Sequence, residues 1–254
     1  MKFSKMALAA IVVVILFFAV SHYTRKPADQ DAGKGTTSET AVMENAENSN
    51  GWVGTYRGFL PCASCEGILT TVVLKEDNTF QKHDVYLGEK DGMFNEEGSF
   101  AVEEDGTKIV LAQNDEKISY RLGDGVITML DSEGNENTGE FAEMYKLKKL
   151  SDDEIEFTDA PVVGILTIGE DVSSFSPFRS SKTYWVEDPK GELLPRYKEA
   201  VGENAAPQTP IFAELKFVDK GKATEGSPSK YDSVLEVVEV GAITPLTPEN
   251  YRDR

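Results

Sequence analysis

The stretch Gly58-Phe59-Leu60-Pro61-Cys62-Ala63-Ser64-Cys65-Glu66-Gly67-Ile68-Leu69-Thr70-Thr71 carries both cysteines of the chain between two segments that alternate as β-strands do. A Cys-x-x-Cys turn can close a disulfide on itself. It can also present two soft sulfurs to Cu(I) or Zn(II), and compartment and further ligands decide between these.

The compartment is read from the N-terminus. Lys2 and Lys5 precede an unbroken apolar run from Met6 to Val20, which ends before Arg25 and Lys26. This is an export signal. The run is short for a membrane span, but Ser21 to Tyr23 extend it toward an interface, so an uncleaved signal-anchor is one reading. Cleavage after Ala19-Val20-Ser21, releasing a chain that starts at His22, is the other. Lys2 and Lys5 stay cytoplasmic by the positive-inside rule, and the rest lies outside the inner membrane, where thiols oxidise. The expected location is the cell envelope, with the soluble part periplasmic and the membrane contacted through the apolar segment.

The chain carries 44 acidic against 26 basic residues, a net charge of -18. Such a surface repels nucleic acid and anionic headgroups, so nucleic-acid partners are excluded. Residues 24–50 are poor in large apolar side chains and read as a flexible linker after a leader over 1–23.

From Trp52 to about Leu150, short period-two segments alternate with turn signals. Strands are predicted at Val53–Phe59, Ile68–Lys75, Thr79–Leu87, Gly98–Val102, Lys108–Ala112, Lys117–Leu122, Val126–Asp131 and Glu140–Leu147. The dipeptides Asp77-Asn78, Asp105-Gly106, Asp124-Gly125 and Glu133-Gly134 suit the connections, because Gly and Asn tolerate positive φ. A mostly β fold follows, with residues 51–149 forming an up-and-down antiparallel barrel. Tyr56, Phe80, Tyr86, Phe100, Tyr120, Phe141 and Tyr145 are its candidate filling. Residues 150–254 are predicted to form a smaller OB-like barrel. Its strands are Val162–Ile168, Lys182–Val186, Ile211–Val218 and Val234–Val240, with one short helix over Glu192–Val201 that Gly202 stops.

With these residues in place, the chain resembles the NlpE family of bacterial envelope proteins, associated with copper resistance, surface sensing and envelope-stress signalling. The resemblance is carried by Gly54-Thr55-Tyr56, by Leu60-Pro61-Cys62-Ala63-Ser64-Cys65-Glu66-Gly67-Ile68, and by Asp77-Asn78-Thr79-Phe80. Ser174-Phe175-Ser176-Pro177-Phe178 and Lys182-Thr183-Tyr184-Trp185-Val186 resemble its C-terminal OB-type domain. The resemblance implies a lipocalin-like first barrel with Cys62 and Cys65 at its rim, a metal role for that pair, and signalling through a membrane sensor kinase. Two departures stand out. No cysteine follows the apolar run as in the family's lipoproteins. Phe178 stands near where some members carry a second cysteine pair, so the resemblance brings no redox role to the C-terminal half.

For Cys62 and Cys65 the alternatives stay open: a small disulfide stiffening the first hairpin, or a metal pair. Zinc wants two further ligands, and beyond the leader region His83 is the sole histidine. Cu(I) accepts two thiolates, with thioether help from Met93, Met129 or Met144, which otherwise serve as barrel filler. A thioredoxin-type enzyme needs the motif to open a helix, and a strand pattern follows instead. Glu66 reads as an exposed turn carboxylate, His83 as a surface imidazole, and Asp131 to Asn137 as a polar hairpin turn. Tyr184 and Trp185 are adjacent on a strand, so one of them must face the core. No nucleophile elbow, phosphate loop or zinc-protease helix occurs. The expected function is an envelope-stress or copper-tolerance sensor or accessory protein, not an enzyme. The alternative is a lipocalin-like carrier of a small molecule or lipophile with a structural disulfide.

Overall fold

A computed structural model describes residues 51–252 apart from Asn204. The apolar run bounded by Met6 and Val20, the cleavage motif and the linker lie outside the described residues. Among the described residues no helix is long and apolar enough to cross a membrane.

The first barrel is an antiparallel meander of β1 (Gly54–Leu60), β2 (Ile68–Leu74), β3 (Thr79–Tyr86), β4 (Met93–Glu103), β5 (Lys108–Gln113), β6 (Glu116–Gly123), β7 (Val126–Met129) and β8 (Lys146–Lys149). Each strand pairs with the next, and β8 closes on β1 through Arg57↔Lys148 and Tyr56↔Lys149. Alternation sends Tyr56, Leu60, Val72, Leu74, Phe80, Phe100, Ile109, Leu111, Tyr120, Ile127 and Leu147 inward as one core cluster. Each large side chain withdrawn from water contributes about 2–3 kcal/mol. Gly98 is required here: a Cβ would stand 2.3 Å from the Ala112 carbonyl and 2.9 Å from Phe80, whose ring lies over the gap. The predicted turns hold, with Asn78 at φ 62° and Gly106, Gly125 and Gly134 all at positive φ.

Three details differ from expectation. Strand β4 starts at Met93, five positions before the predicted Gly98, because Asn95 and Glu96 find partners on β3 in place of solvent. Residues Ala142–Tyr145 form a 3-10 turn, where a strand from Glu140 was predicted. Phe141, Met144 and Tyr145 recur at helical spacing, so that segment lacks true alternation. Phe141 accordingly faces solvent at 58% exposure, and Tyr86 and Tyr145 are only half-buried. Of the predicted filling, Tyr56, Phe80, Phe100 and Tyr120 are buried.

The second barrel comprises β9 (Val162–Ile168), β10 (Ser173–Pro177), β11 (Tyr184–Glu187), β12 (Ile211–Asp219) and β13 (Val234–Pro245). Their closed order is β9-β10-β11-β13-β12, with β11 and β13 parallel. Helix α1 (Leu193–Val201) bridges β11 and β12. This is a five-stranded Greek-key barrel of the OB type. Asp188 Oδ2 accepts the Leu193 amide at 2.6 Å, and Gly202 ends the helix at φ 79°. Leu193 and Tyr197, four residues apart, face the core beside Phe175, Tyr184, Leu215 and Phe217. Alternation is resolved by burying Tyr184 and leaving Trp185 to meet Tyr231 at 5.4 Å. Strand β10 and the C-terminal helix α2 (Pro248–Arg252) were not predicted: Ser173–Pro177 has a single large apolar residue, and α2 has five residues.

The barrels dock through an apolar row. Phe59, Leu69, Val85 and Met93 are successive register partners across β1 to β4 on the outer face. They pack with Ile165, Phe178, Phe212, Leu246 and Tyr251 of the C-terminal half. Alternation within a barrel whose interior is already filled leaves this second face apolar, and burial by a neighbour satisfies it.

Candidate functional site

Strand β1 ends at Leu60, Pro61 stops the pairing, and the turn to β2 is closed by the Cys62–Cys65 disulfide, with S–S 2.07 Å and Cα–Cα 5.4 Å. The Cys65 amide donates to Cys62 Sγ at 3.0 Å. Both cysteines are half-buried, whereas Ala63, Ser64 and Glu66 are exposed. The loop is tied to β3's exit by the Leu87 amide donating to the Gly67 carbonyl at 3.0 Å. Gly67 sits at φ 153°, and a Cβ there would approach Phe59 to 3.1 Å and Pro248 to 3.2 Å. Rim and interbarrel face therefore share one residue. Glu66 also borders a cavity of about 410 Å³ between the barrels, together with Tyr86, Met93 and Pro210.

Oxidised sulfurs are not thiolate ligands, so the pair as it stands does not fit a metal. Opening the bond with two electrons and two protons gives a dithiol, a donor set matched to two-coordinate Cu(I) and two ligands short for zinc. Among the described residues no group of three or more His, Cys, Asp or Glu side chains is arranged for a metal ion. Met129 packs on the first barrel's core and Met93 on the interbarrel cluster, both as filler. Met144 belongs to the 3-10 turn. His83 Nδ1 meets Asn95 Oδ1 at 2.7 Å on the outer face, away from the cysteine loop's sulfurs in the sheet register. Asp131 Oδ1 accepts the Glu133 and Asn135 amides at 2.9 and 2.8 Å, and these bonds hold its carboxyl below the usual range.

Sequence reasoning missed a polar cluster inside the first barrel. Lys82 Nζ contacts Asp84 Oδ2 at 2.5 Å and Glu96 Oε1 at 2.9 Å, and Thr70 Oγ1 donates to Asp84 Oδ1 at 2.7 Å. Burial alone lowers the Lys82 ammonium, but bonding and charge from Asp84 and Glu96 prevail and hold it above the usual lysine value. Tyr120 is fully buried with its hydroxyl unpartnered, and burial, reinforced by Asp84 and Glu96, pushes its phenol far up. The signal was available: Lys82 and Asp84 share parity with inward-facing Phe80.

These features define a two-barrel β protein: a filled, lipocalin-like barrel with a disulfide at its rim, docked on an OB-type barrel. Residues 56–140, most of the first barrel, match the NlpE N-terminal domain family. The match shows an NlpE N-terminal domain in the first barrel. The chain is 29% identical over 221 residues to the Escherichia coli protein named Lipoprotein NlpE, spanning 86% of this chain and 89% of that one. Among solved structures it is similar to a candidate lipoprotein from Shewanella oneidensis, 46% identical over 39% of this chain and 88% of that chain, with a TM-score of 0.36. It is also similar to the Cpx pathway activator NlpE from Escherichia coli, 28% identical over 76% and 95%, with a TM-score of 0.32.

Proposed function

We propose that the protein is an extracytoplasmic sensor or accessory factor in envelope stress and copper tolerance, held at the membrane, and that its output passes to an envelope-stress sensor kinase. In this reading residues 1–23 target the membrane, residues 24–50 act as tether, and residues 51–149 and 150–254 are the two domains. The Cys62–Cys65 pair is the responsive element: a disulfide when oxidised and a Cu(I)-accepting dithiol when reduced. The observation that carries the reading is the half-buried pair on the exposed turn of an NlpE-type barrel. Similarity over most of both chains to the relative named Lipoprotein NlpE supports placing it in the envelope. A carrier role is disfavoured, because Tyr56, Phe80, Phe100 and Tyr120 fill the space a lipophile would need. We assign no catalysis to it.

The test is an envelope-stress reporter in cells producing the full chain, with and without copper, compared with Cys62→Ser/Cys65→Ser at equal protein level. A copper-dependent response that the double variant lacks supports the reading. Equal responses from both proteins contradict the role given to the pair.

A further inference from the structure

Between the barrels, beside β1 and β8, lies a cavity of about 490 Å³ whose charge opposes that of the chain. The protein carries a net charge of -18. Yet this cavity is bordered by Arg57, Lys146, Lys148, Lys149, Arg179 and Arg252, with Glu143 its sole acid among the described residues. Strand register explains the concentration: Arg57 pairs with Lys148 across β1 and β8, and alternation puts Lys146 on that same outer face. Residues from the second barrel and α2 then close the cleft from above.

Some of these cations are engaged already. Lys146 pairs with Glu143, and Lys149 donates to the Gly51 carbonyl at 2.9 Å. Lys148, Arg179 and Arg252 have no carboxylate partner among the described residues. Arg57 is decisive. It is only 8% exposed, and its Nε donates to Thr71 Oγ1 at 3.2 Å, but its Nη1 has no hydrogen-bond partner. A buried guanidinium with an idle donor is unfavourable unless an acceptor answers it, and the planar fork suits the oxygens of a phosphate.

Three aromatic rings and Leu150 give the same wall an apolar part. Tyr251 lies edge to face with Phe59 at 5.4 Å and Phe178 at 5.1 Å, and all three rings border the same space. A bare ion would use the cations and leave these rings idle. The volume is also in the range of small-ligand sites. We propose that this interbarrel cleft binds a phosphate-bearing amphiphile, the phosphate held by Arg57 and Lys148 and the hydrocarbon laid against Phe59, Phe178 and Tyr251. The site is separate from the cysteine pair and does not depend on its chemistry.

The test uses the full chain in an uncharged detergent, with monomeric dihexanoyl phosphatidylglycerol, dihexanoylglycerol and inorganic phosphate as probes. Calorimetric titration and thermal shift are the readouts. The phosphatidylglycerol is expected to raise Tm and to bind at least tenfold more tightly than either other probe. Lys148→Gln, at an exposed position, and Arg57→Met should each weaken it about tenfold or more. Without ligand, Arg57→Met should unfold at the same or a higher temperature, because it removes a buried unpaired charge. Equal binding of dihexanoylglycerol, or binding unchanged in both variants, overturns the proposal. If inorganic phosphate binds as tightly, with the same dependence on Arg57 and Lys148, the amphiphile is overturned and free phosphate is the source.

Discussion

Phe59 on the first barrel and Tyr251 in the C-terminal helix meet edge to face, with ring centroids 5.4 Å apart. Phe59 is 4% exposed and lies one residue before the end of the strand that leads to Cys62. Its contacts therefore join three things: barrel docking, the rim loop through Gly67, and the C-terminus. Phe59→Ala should lower the unfolding free energy by about 3–5 kcal/mol, the usual loss for a buried aromatic. Urea unfolding measures this. Hydrogen exchange should show faster opening around Val85 and Leu246 while the amides beside Tyr120 stay protected.

Gly67 and Gly88 both have positive φ, but their surroundings differ. A Cβ at Gly67 would press on Phe59 and Pro248, whereas one at Gly88 would meet nothing within 4 Å. Gly88→Ala should cost about 1 kcal/mol from backbone strain alone. Gly67→Ala adds the clash and should cost about 2–3 kcal/mol more. A comparison of melting temperatures tests the ordering.

The buried ion cluster predicts strong non-additivity. Lys82→Met leaves Asp84 without its cation and should destabilise by about 3–5 kcal/mol. Lys82→Met/Asp84→Leu should cost clearly less than the two single substitutions added, because the uncompensated charge is gone. A double-mutant cycle in urea gives the coupling.

Alkaline stability follows from the buried phenols. Burial pushes Tyr56 and Tyr184 up to about 12. In the unfolded chain these groups titrate near about 10. Their folded values are raised, so their contribution is complete below about 10 and is lost as pH rises toward 12. Absorbance titration should show exposed tyrosines ionising first. The remaining phenols should ionise together with loss of tertiary structure between about pH 10 and 12.

Much of the fold was legible in the sequence. Turn residues with positive φ bound segments such as Ile68–Leu74 and Lys108–Gln113, whose β-branched and apolar residues read as strand, so type and starting residue emerge. Alternation failed where polar residues point inward. Lys82 and Asp84 share the inward parity of Phe80 but carry no apolar mark, and their burial rests on ion pairs with each other and with Glu96 across β3 and β4. It failed also where spacing was mixed, as at Phe141 to Tyr145. The outer apolar row of Phe59, Leu69 and Val85 was visible residue by residue, but assigning it to docking needs the second barrel's position. For the same reason Arg57 gave no signal: its significance comes from Lys148 and Tyr251, which are distant in sequence.

The central claim concerns Cys62 and Cys65, and the direct measurement is thiol titration followed by anaerobic Cu(I) competition on the full chain. Before reduction, no titratable thiol is expected. After reduction, two thiols should appear and one Cu(I) should bind tightly, with binding abolished in Cys62→Ser/Cys65→Ser. Reduced protein that binds no Cu(I), or binds it equally well without the cysteines, would contradict the account and leave the pair as a structural staple of the first hairpin.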